Sequence, residues 1–294
     1  MAEMNVAILV LLAVAAIALA GTLMLYHHWI YERQSDDGSK PLPGGTNGPL
    51  NPLMTAAAIP AEAVGFLLVI VTWPLRFIHD AMPFRARIPG ENPIVLVHGW
   101  GANSACFFFV QLWLKARGYG NVYAVSCSPA VIDARKLAAQ LSCHIDEALA
   151  ATGAQKVTLI GHSMGGLLSR YAIRNLGCDA KVERVITLGS PHMGSKVAGM
   201  VPGFGNVPQM RYQSAFIREL AAGGMTPGAD VQYFSIYSEF DNFVLPNHSS
   251  VLDGNAQNIH VPWHGHCALL YSPVVMRHIE DILGAPENAA RASS

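Results

Sequence analysis

The run Val157-Thr158-Leu159-Ile160 leads directly into Gly161-His162-Ser163-Met164-Gly165-Gly166, and an apolar-faced helical pattern follows from Met164 to Asn175. This junction constrains the chain more tightly than any other stretch. A short β-branched run, a G-x-S-x-G motif and a helix pattern predict a tight, strained turn from strand to helix. Such a turn lifts the Ser163 hydroxyl out at the C-terminal edge of a sheet. Amides at the start of the following helix then point at negative charge developing there. The bland alternative is a Gly-rich turn in which Ser163 only caps a helix. The strand before it and the helix after it favour a nucleophile.

Such a turn needs a parallel sheet, and the rest of the chain supplies one. Short apolar runs occur at Ile94-Val95-Leu96-Val97, Val122-Tyr123-Ala124-Val125, Val185-Ile186-Thr187-Leu188, residues 231–236 and Ile259-His260-Val261. Continuous runs of this kind suit strands buried on both faces. Helical patterns lie between them at residues 104–117, 130–151, 164–175, 214–221 and 273–283. Strands alternating with helices predict an α/β fold, a mostly parallel sheet of about six strands flanked by helices. One catalytic domain is expected over residues 89–285, followed by a tail at 286–294.

A serine hydroxyl needs a base, and the base needs an acid that orients it. On a sheet of this type they follow in the order nucleophile, acid, histidine. His266, in Trp263-His264-Gly265-His266-Cys267, lies just past the last strand, where a loop reaches back over Ser163. His264 competes with it. His260 falls inside a strand and His278 on a helix. Asp241 follows the fifth strand run, in the loop where the acid belongs; Glu239 and Asp253 are its rivals, Asp253 reading also as a turn residue before Gly254. The backbone amides of Met164 and Trp100 are the candidate oxyanion donors. Residues 196–228 are rich in Gly, Pro and Met and form a candidate lid. Trp100, Phe204 and Met210 are the expected substrate-contacting side chains. Cys267 adjoins His266 but lacks the strand-turn-helix context of a nucleophile. The five cysteines form an odd set whose pairing the sequence does not reveal.

Several pieces fall in order along nearly two thirds of the chain: Val97-His98-Gly99-Trp100-Gly101, Gly161 to Gly166, Gly189-Ser190-Pro191-His192-Met193-Gly194-Ser195, Ser214-Ala215-Phe216, and Gly265-His266 with Leu269-Leu270-Tyr271-Ser272. In this combination the chain resembles bacterial lipases and esterases of the α/β-hydrolase superfamily, most closely the compact Bacillus type. The resemblance implies an α/β-hydrolase fold with Ser163 as nucleophile, Asp241 as acid and His266 as base. It departs at the N-terminus, where the compact secreted lipases carry no comparable apolar segments.

Those segments explain the composition. Hydrophobic residues make up 51% of the chain and charged residues only 13%, against roughly 25% charged in ordinary soluble domains. This excludes a disordered, highly charged chain. The formal net charge of −1 leaves no basic footprint for nucleic acid. Asn5 to Leu25 holds no charged residue, and about 20 apolar residues cross a bilayer core. Ala18-Leu19-Ala20 also fits a signal-peptide cleavage site. The absence of Lys and Arg before the run, and the run's length, favour an uncleaved anchor. Tyr26, Trp29 and Tyr31 then read as interfacial aromatics.

The N-terminal organisation expected is an anchor or signal over residues 1–34, a flexible linker over 35–58, and an apolar, membrane-contacting helix over 59–88. That second stretch also reads as a second span or as a helix covering the catalytic domain. Arg76, Arg85 and Arg87 suit an anionic lipid surface or a plain solvated flank. An extracytoplasmic catalytic domain is favoured over a cytoplasmic one by the family resemblance.

The expected function is a membrane-attached serine hydrolase that cleaves carboxylic esters of hydrophobic acyl groups. A thioesterase or amidase on the same residues is the nearest alternative, and a catalytically silent membrane scaffold is the alternative from another class. The expected partners are a hydrophobic ester and membrane lipid, with no protein partner inferable. No metal or organic cofactor is expected, since the Cys and His residues show no tight metal-ligand spacing.

Overall fold

Each short apolar run becomes one strand of a single sheet. The computed structural model describes residues 2–35, 42–45, 52–82 and 84–284. Among them the strands are β1 (Ile94–Val97), β2 (Val122–Val125), β3 (Val157–His162), β4 (Val182–Leu188), β5 (Gln232–Tyr237) and β6 (Ala256–His260). Their order is β2-β1-β3-β4-β5-β6, and every adjacent pair is parallel. The expected parallel sheet of about six strands is therefore present.

Helices α1 (Ala2–Ser35) and α2 (Pro52–Thr72) precede the sheet, and the single turn α3 (Arg76–His79) leads towards it. Between strands lie α4 (Phe108–Ala116), α5 (Ala134–Thr152), α6 (Met164–Asn175), α7 (Val197–Met200) and α8 (Ala215–Ala221), and α9 (Pro273–Leu283) closes the described chain. Caps set several ends. Asp133 accepts from the Arg135 amide at the start of α5, and Ser272 accepts from Val274 and Val275 at the start of α9.

Alternation along the strands divides the core into two layers. Val95 and Val97 pack on one side with Leu137, Leu141 and Ile145 of α5 and Leu167 and Leu168 of α6. Ile94 and Leu96 pack on the other with Val110 and Leu114 of α4 and Val275 and Ile279 of α9. The chain leaves β1 for one edge of the sheet and returns past it to β3. The loops after β1 and β3 thus diverge and open a crevice at the C-terminal ends of the strands, the usual ligand position in such sheets.

The N-terminal part departs from the expectations. Residues 52–58, assigned to the linker, belong to α2. Pro52 suits a first helical position, and Leu53 to Ala58 contains good helix formers. The rest of that linker falls mostly, and the 286–294 tail wholly, outside the described residues. Tyr26 and Trp29, expected at a lipid-water interface, are buried at 1% and 0% exposure. Trp29 stacks on Phe240 with ring centroids 5.3 Å apart. Its indole donates to the Glu239 carbonyl at 3.0 Å, and the Tyr26 hydroxyl donates to the Phe240 carbonyl at 3.2 Å. The aromatics serve the protein because the 239–240 loop gives their polar ends acceptors. Tyr31 remains exposed.

The 196–228 segment is not a uniform loop. Val207, Met210, Phe216, Ile217 and Leu220 are buried in the core, and the Ser195 amide donates to the Met210 carbonyl at 2.8 Å. The exposed stretch from the end of α7 onward is short, with Met200 and Phe204 outermost.

Candidate active site

Ser163 sits between β3 and α6 with φ 54° and ψ −121°, the strained conformation that the flanking glycines surround. Its amide donates to the Leu188 carbonyl at 2.9 Å, and the side chain is half-buried. The loop after β1 closes on it. A Cβ on Gly99 would lie 2.8 Å from the Ser163 Cβ, so only glycine allows this approach. The Trp100 and Met164 amides donate to no other group among the described residues. They remain free to face an oxyanion. His98 holds the Trp100 loop. Its buried ring bonds the Gly99 carbonyl through Nδ1 at 2.7 Å and accepts from the Cys127 amide through Nε2 at 3.1 Å. Burial pushes this imidazole's pKa down and favours the neutral form those bonds need.

Asp241 and His266 meet across the ends of β5 and β6. His266 Nδ1 bonds Asp241 Oδ2 at 2.8 Å, and both residues are buried. The other carboxylate oxygen accepts from the Phe243 and Val244 amides, both at 2.9 Å. Asn247 donates to the Asp241 and Val244 carbonyls. Ser195 Oγ donates to the Phe243 carbonyl at 2.6 Å and accepts from Leu245 N. The acid is thereby fixed from three sides. Burial disfavours the His266 imidazolium, but the Asp241 charge and hydrogen bond outweigh it, and the pKa of His266 is raised. With Nδ1 on Asp241, Nε2 is the ring nitrogen left for another partner.

Two residues bring this pair to the serine. The His162 ring lies beside the His266 ring at 4.6 Å, and its Nε2 bonds the His266 carbonyl at 3.1 Å. Gly189, at φ 54°, follows Leu188; a Cβ there would lie 2.7 Å from Asp241 Oδ2 and 3.2 Å from His266 Nδ1. Phe243 stacks on the histidine at 4.9 Å.

The rivals are engaged elsewhere. Glu239 is paired with His260, and Asp253 is exposed in its turn. His264 Nδ1 bonds the Pro262 carbonyl at 2.7 Å. Cys267 is buried, and burial pushes its thiol well up, away from the thiolate a nucleophile needs. Of the expected substrate contacts, Trp100 and Phe204 present their side chains at 40% and 59% exposure. Met210 does not, because it packs in the core with Phe216 and Leu220.

A model of the Alpha/beta hydrolase family matches residues 94–275, more than half of the chain. The chain belongs to the alpha/beta hydrolase family. Within the family it is 38% identical over 117 residues to a triacylglycerol lipase of Pseudarthrobacter phenanthrenivorans, a match covering 37% of this chain and 36% of that protein. It is 36% identical over 140 residues to a triacylglycerol lipase of Vibrio cholerae, covering 46% of this chain and 42% of that one. The matched region thus spans well under half the length of these relatives. The fold is similar to that of Bacillus licheniformis lipase BlEst2 in mature form, with TM-score 0.59 and 19% identity over 69% of this chain and 94% of that one.

The sequence did not point to every residue around this alpha/beta hydrolase site. Asn247 carries no motif that would single it out, and the Gly189–Ser195 stretch gives no sign that Ser195 Oγ braces the loop after Asp241. Glu62, on α2, is 1% exposed and bonds the backbone that follows His266. Its signal was available as the one acidic residue in an otherwise apolar stretch.

Proposed function

We propose that the chain is a membrane-attached serine hydrolase that cleaves carboxylic esters of hydrophobic acyl groups, with Ser163 as nucleophile, His266 as base and Asp241 as acid. The buried Asp241–His266 hydrogen bond at 2.8 Å, set beside a strained Ser163, carries this reading. The sequence similarity to triacylglycerol lipases supports the ester class.

In the first step the Ser163 Oγ–H proton passes to His266 Nε2 as Oγ bonds the ester carbonyl carbon. The negative charge moves onto the carbonyl oxygen, facing the Trp100 and Met164 amides. The C–O bond to the alcohol breaks, and the alcohol leaves with the proton from His266. Water then gives a proton to His266 and its oxygen bonds the acyl carbon. The acyl–Oγ bond breaks, and Ser163 regains its proton. Asp241 stays ionised and steadies the imidazolium throughout.

Membrane attachment rests on the outward faces of α1 and α2. Leu12, Ile17 and Met24 of α1, Leu53 and Val64 of α2, and Phe77 and Ile78 of the following α3 are each more than half exposed, and the stretches Leu12–Tyr31 and Leu53–His79 are long and apolar enough to cross a membrane. Large exposed apolar side chains in this number mark a contact with lipid or protein, and lipid fits an enzyme of hydrophobic esters.

Labelling with a fluorophosphonate, mapped by mass spectrometry, tests the chemistry. An adduct on Ser163 that is lost in Ser163→Ala and strongly slowed in His266→Ala is expected. A folded protein that takes no adduct in detergent refutes the hydrolase reading. Matched ester, thioester and amide substrates then identify the bond, and flotation with liposomes tests attachment.

A further inference from the structure

Glu62 lies in α2, far in sequence from the catalytic loops, yet it is buried against one of them. Its Oε1 accepts from the Cys267 amide at 3.0 Å and its Oε2 from the Ala268 amide at 2.9 Å. These amides directly follow His266 and open the 3-10 turn Ala268–Tyr271. Both oxygens accept, the pattern of a carboxylate capping free backbone donors.

Helix and loop meet without side chains between them. A Cβ on Gly65, one turn along α2 from Glu62, would lie 2.8 Å from Ala268 N. A Cβ on Gly265 would overlap the Glu62 carboxyl group. The charged groups that face Glu62 are His266 and Asp241; the Tyr26 hydroxyl and Cys267 thiol also adjoin it. His266 in turn faces Asp241 from the acid loop, Glu62 from α2 and His162 from β3. Burial and the neighbouring His266 push His162 well below the usual histidine value. Burial also pushes the Glu62 carboxyl up to about 7, against the two amide bonds and His266, which favour its ionised form, so Glu62 joins Asp241 as an anion beside the histidine chiefly above that pH. An isolated buried carboxylate is costly. Among the described residues, this one finds its partners on the histidine loop: the Cys267 and Ala268 amides, the Cys267 thiol and the His266 charge.

We propose that Glu62 is a positioning residue for His266: carried by α2, its carboxylate clamps the backbone that bears the histidine, so hydrolysis depends on the docked N-terminal helix. The inference rests on the reading of His266 as the base. Glu62 touches no reacting atom and acts through the loop.

Glu62→Gln keeps the shape but sets an NH2 group against an amide donor and removes the charge. We expect a folded protein whose kcat falls about ten-fold or more, the loss that a displacement well under 1 Å produces, while KM stays near wild type. The acidic limb of kcat/KM should move to lower pH by roughly half a unit, since an anion that favoured the imidazolium is gone. Glu62→Asp should keep the limb near its wild-type position with a reduced kcat. A residue that only holds the fold together would lower Tm and leave the limb in place. The His266 imidazole is also titrated by NMR in Ser163→Ala protein, with and without Glu62→Gln. That titration moves whether or not the wild type cleaves esters, so it separates this inference from the proposed activity. Should Glu62→Gln not fold, Glu62→Asp is read in its place, and an unchanged kcat overturns the proposal. A folded Glu62→Gln with wild-type kcat and an unmoved His266 titration also overturns it.

Discussion

Gly189→Ala tests the geometry of the site more directly than removing a catalytic group does. Gly189 has φ 54° and bonds the Ile236 carbonyl through its amide at 2.9 Å. An alanine there meets two costs. The left-handed backbone costs a non-glycine residue about 1–2 kcal/mol. The new methyl would also sit 2.7 Å from Asp241 Oδ2 and 2.9 Å from Leu269 Cδ1, the latter roughly 0.6 Å inside the separation at which carbons attract. The backbone of β4 cannot retreat, because Leu188 is paired with β3 and β5, so the Asp241–His266 pair has to give. A shift approaching 1 Å at a catalytic pair lowers kcat/KM by about 10²-fold, or about 2.7 kcal/mol of transition-state stabilisation. Gly177→Ala supplies the control. Its φ is 69°, with nothing within 4 Å of the added Cβ, so it carries the backbone cost alone. Both variants should lose Tm, but only Gly189→Ala should lose turnover of a p-nitrophenyl ester. Equal activity in the two, with both folded by circular dichroism, refutes the placement of Gly189 beneath the pair.

Three further outcomes follow. The kcat/KM profile should fall on acidification through a pKa above the usual histidine value of about 6.5, because the Asp241 charge outweighs the burial of His266 and the base works only when neutral. Asp241→Asn should move that limb to lower pH and cut kcat on the order of 10³–10⁴-fold, read from initial rates across pH. Glu239→Gln should cost about 1–3 kcal/mol of stability by disturbing the buried pair with His260, seen as a lower Tm, while kcat/KM stays within about three-fold of wild type.

The sequence made the sheet and Ser163 legible for a physical reason. Parallel strands covered on both faces must be apolar throughout, so β1 and β3 stand out as unbroken runs. β6 was harder. Its apolar run is Ile259-His260-Val261, but the strand is Ala256–His260. At the edge of the sheet, Gln257 and Asn258 are tolerated because only one neighbour packs on them. The meeting of Asp241 with His266 was legible because chain order points to one loop for each, and the structure joins them at 2.8 Å while Glu239 and His264 bond elsewhere. What composition could not give was the partner of an apolar helix. Tyr26 and Trp29 read as lipid-facing because they follow an apolar run. Their acceptors, the Phe240 and Glu239 carbonyls, lie more than 200 residues away. Met210 failed for the converse reason, since an apolar residue in a Gly- and Pro-rich loop reads as a pocket wall, while the core claims it.

The burial pattern of α1 shows how one helix serves two surroundings. Ala18, Thr22, Tyr26 and Trp29 are buried, at the three- and four-residue spacings of one helix face. Ile17, Leu19, Leu23 and Met24 are exposed on the other sides. Apart from Thr22 both sets are apolar or aromatic, so the composition of this stretch does not distinguish protein from lipid. Left in water, each large exposed side chain forgoes about 1.5–3 kcal/mol of burial; against acyl chains it recovers most of that. The inner face already reaches the acid loop through Trp29 and Phe240, while α2 reaches the histidine loop through Glu62. On the proposed membrane reading, the two helices that meet lipid also hold both loops of the Asp241–His266 pair. Attachment and catalysis then share one set of contacts, and a change that loosens the helix pair from the domain should reach the histidine before it reaches the fold.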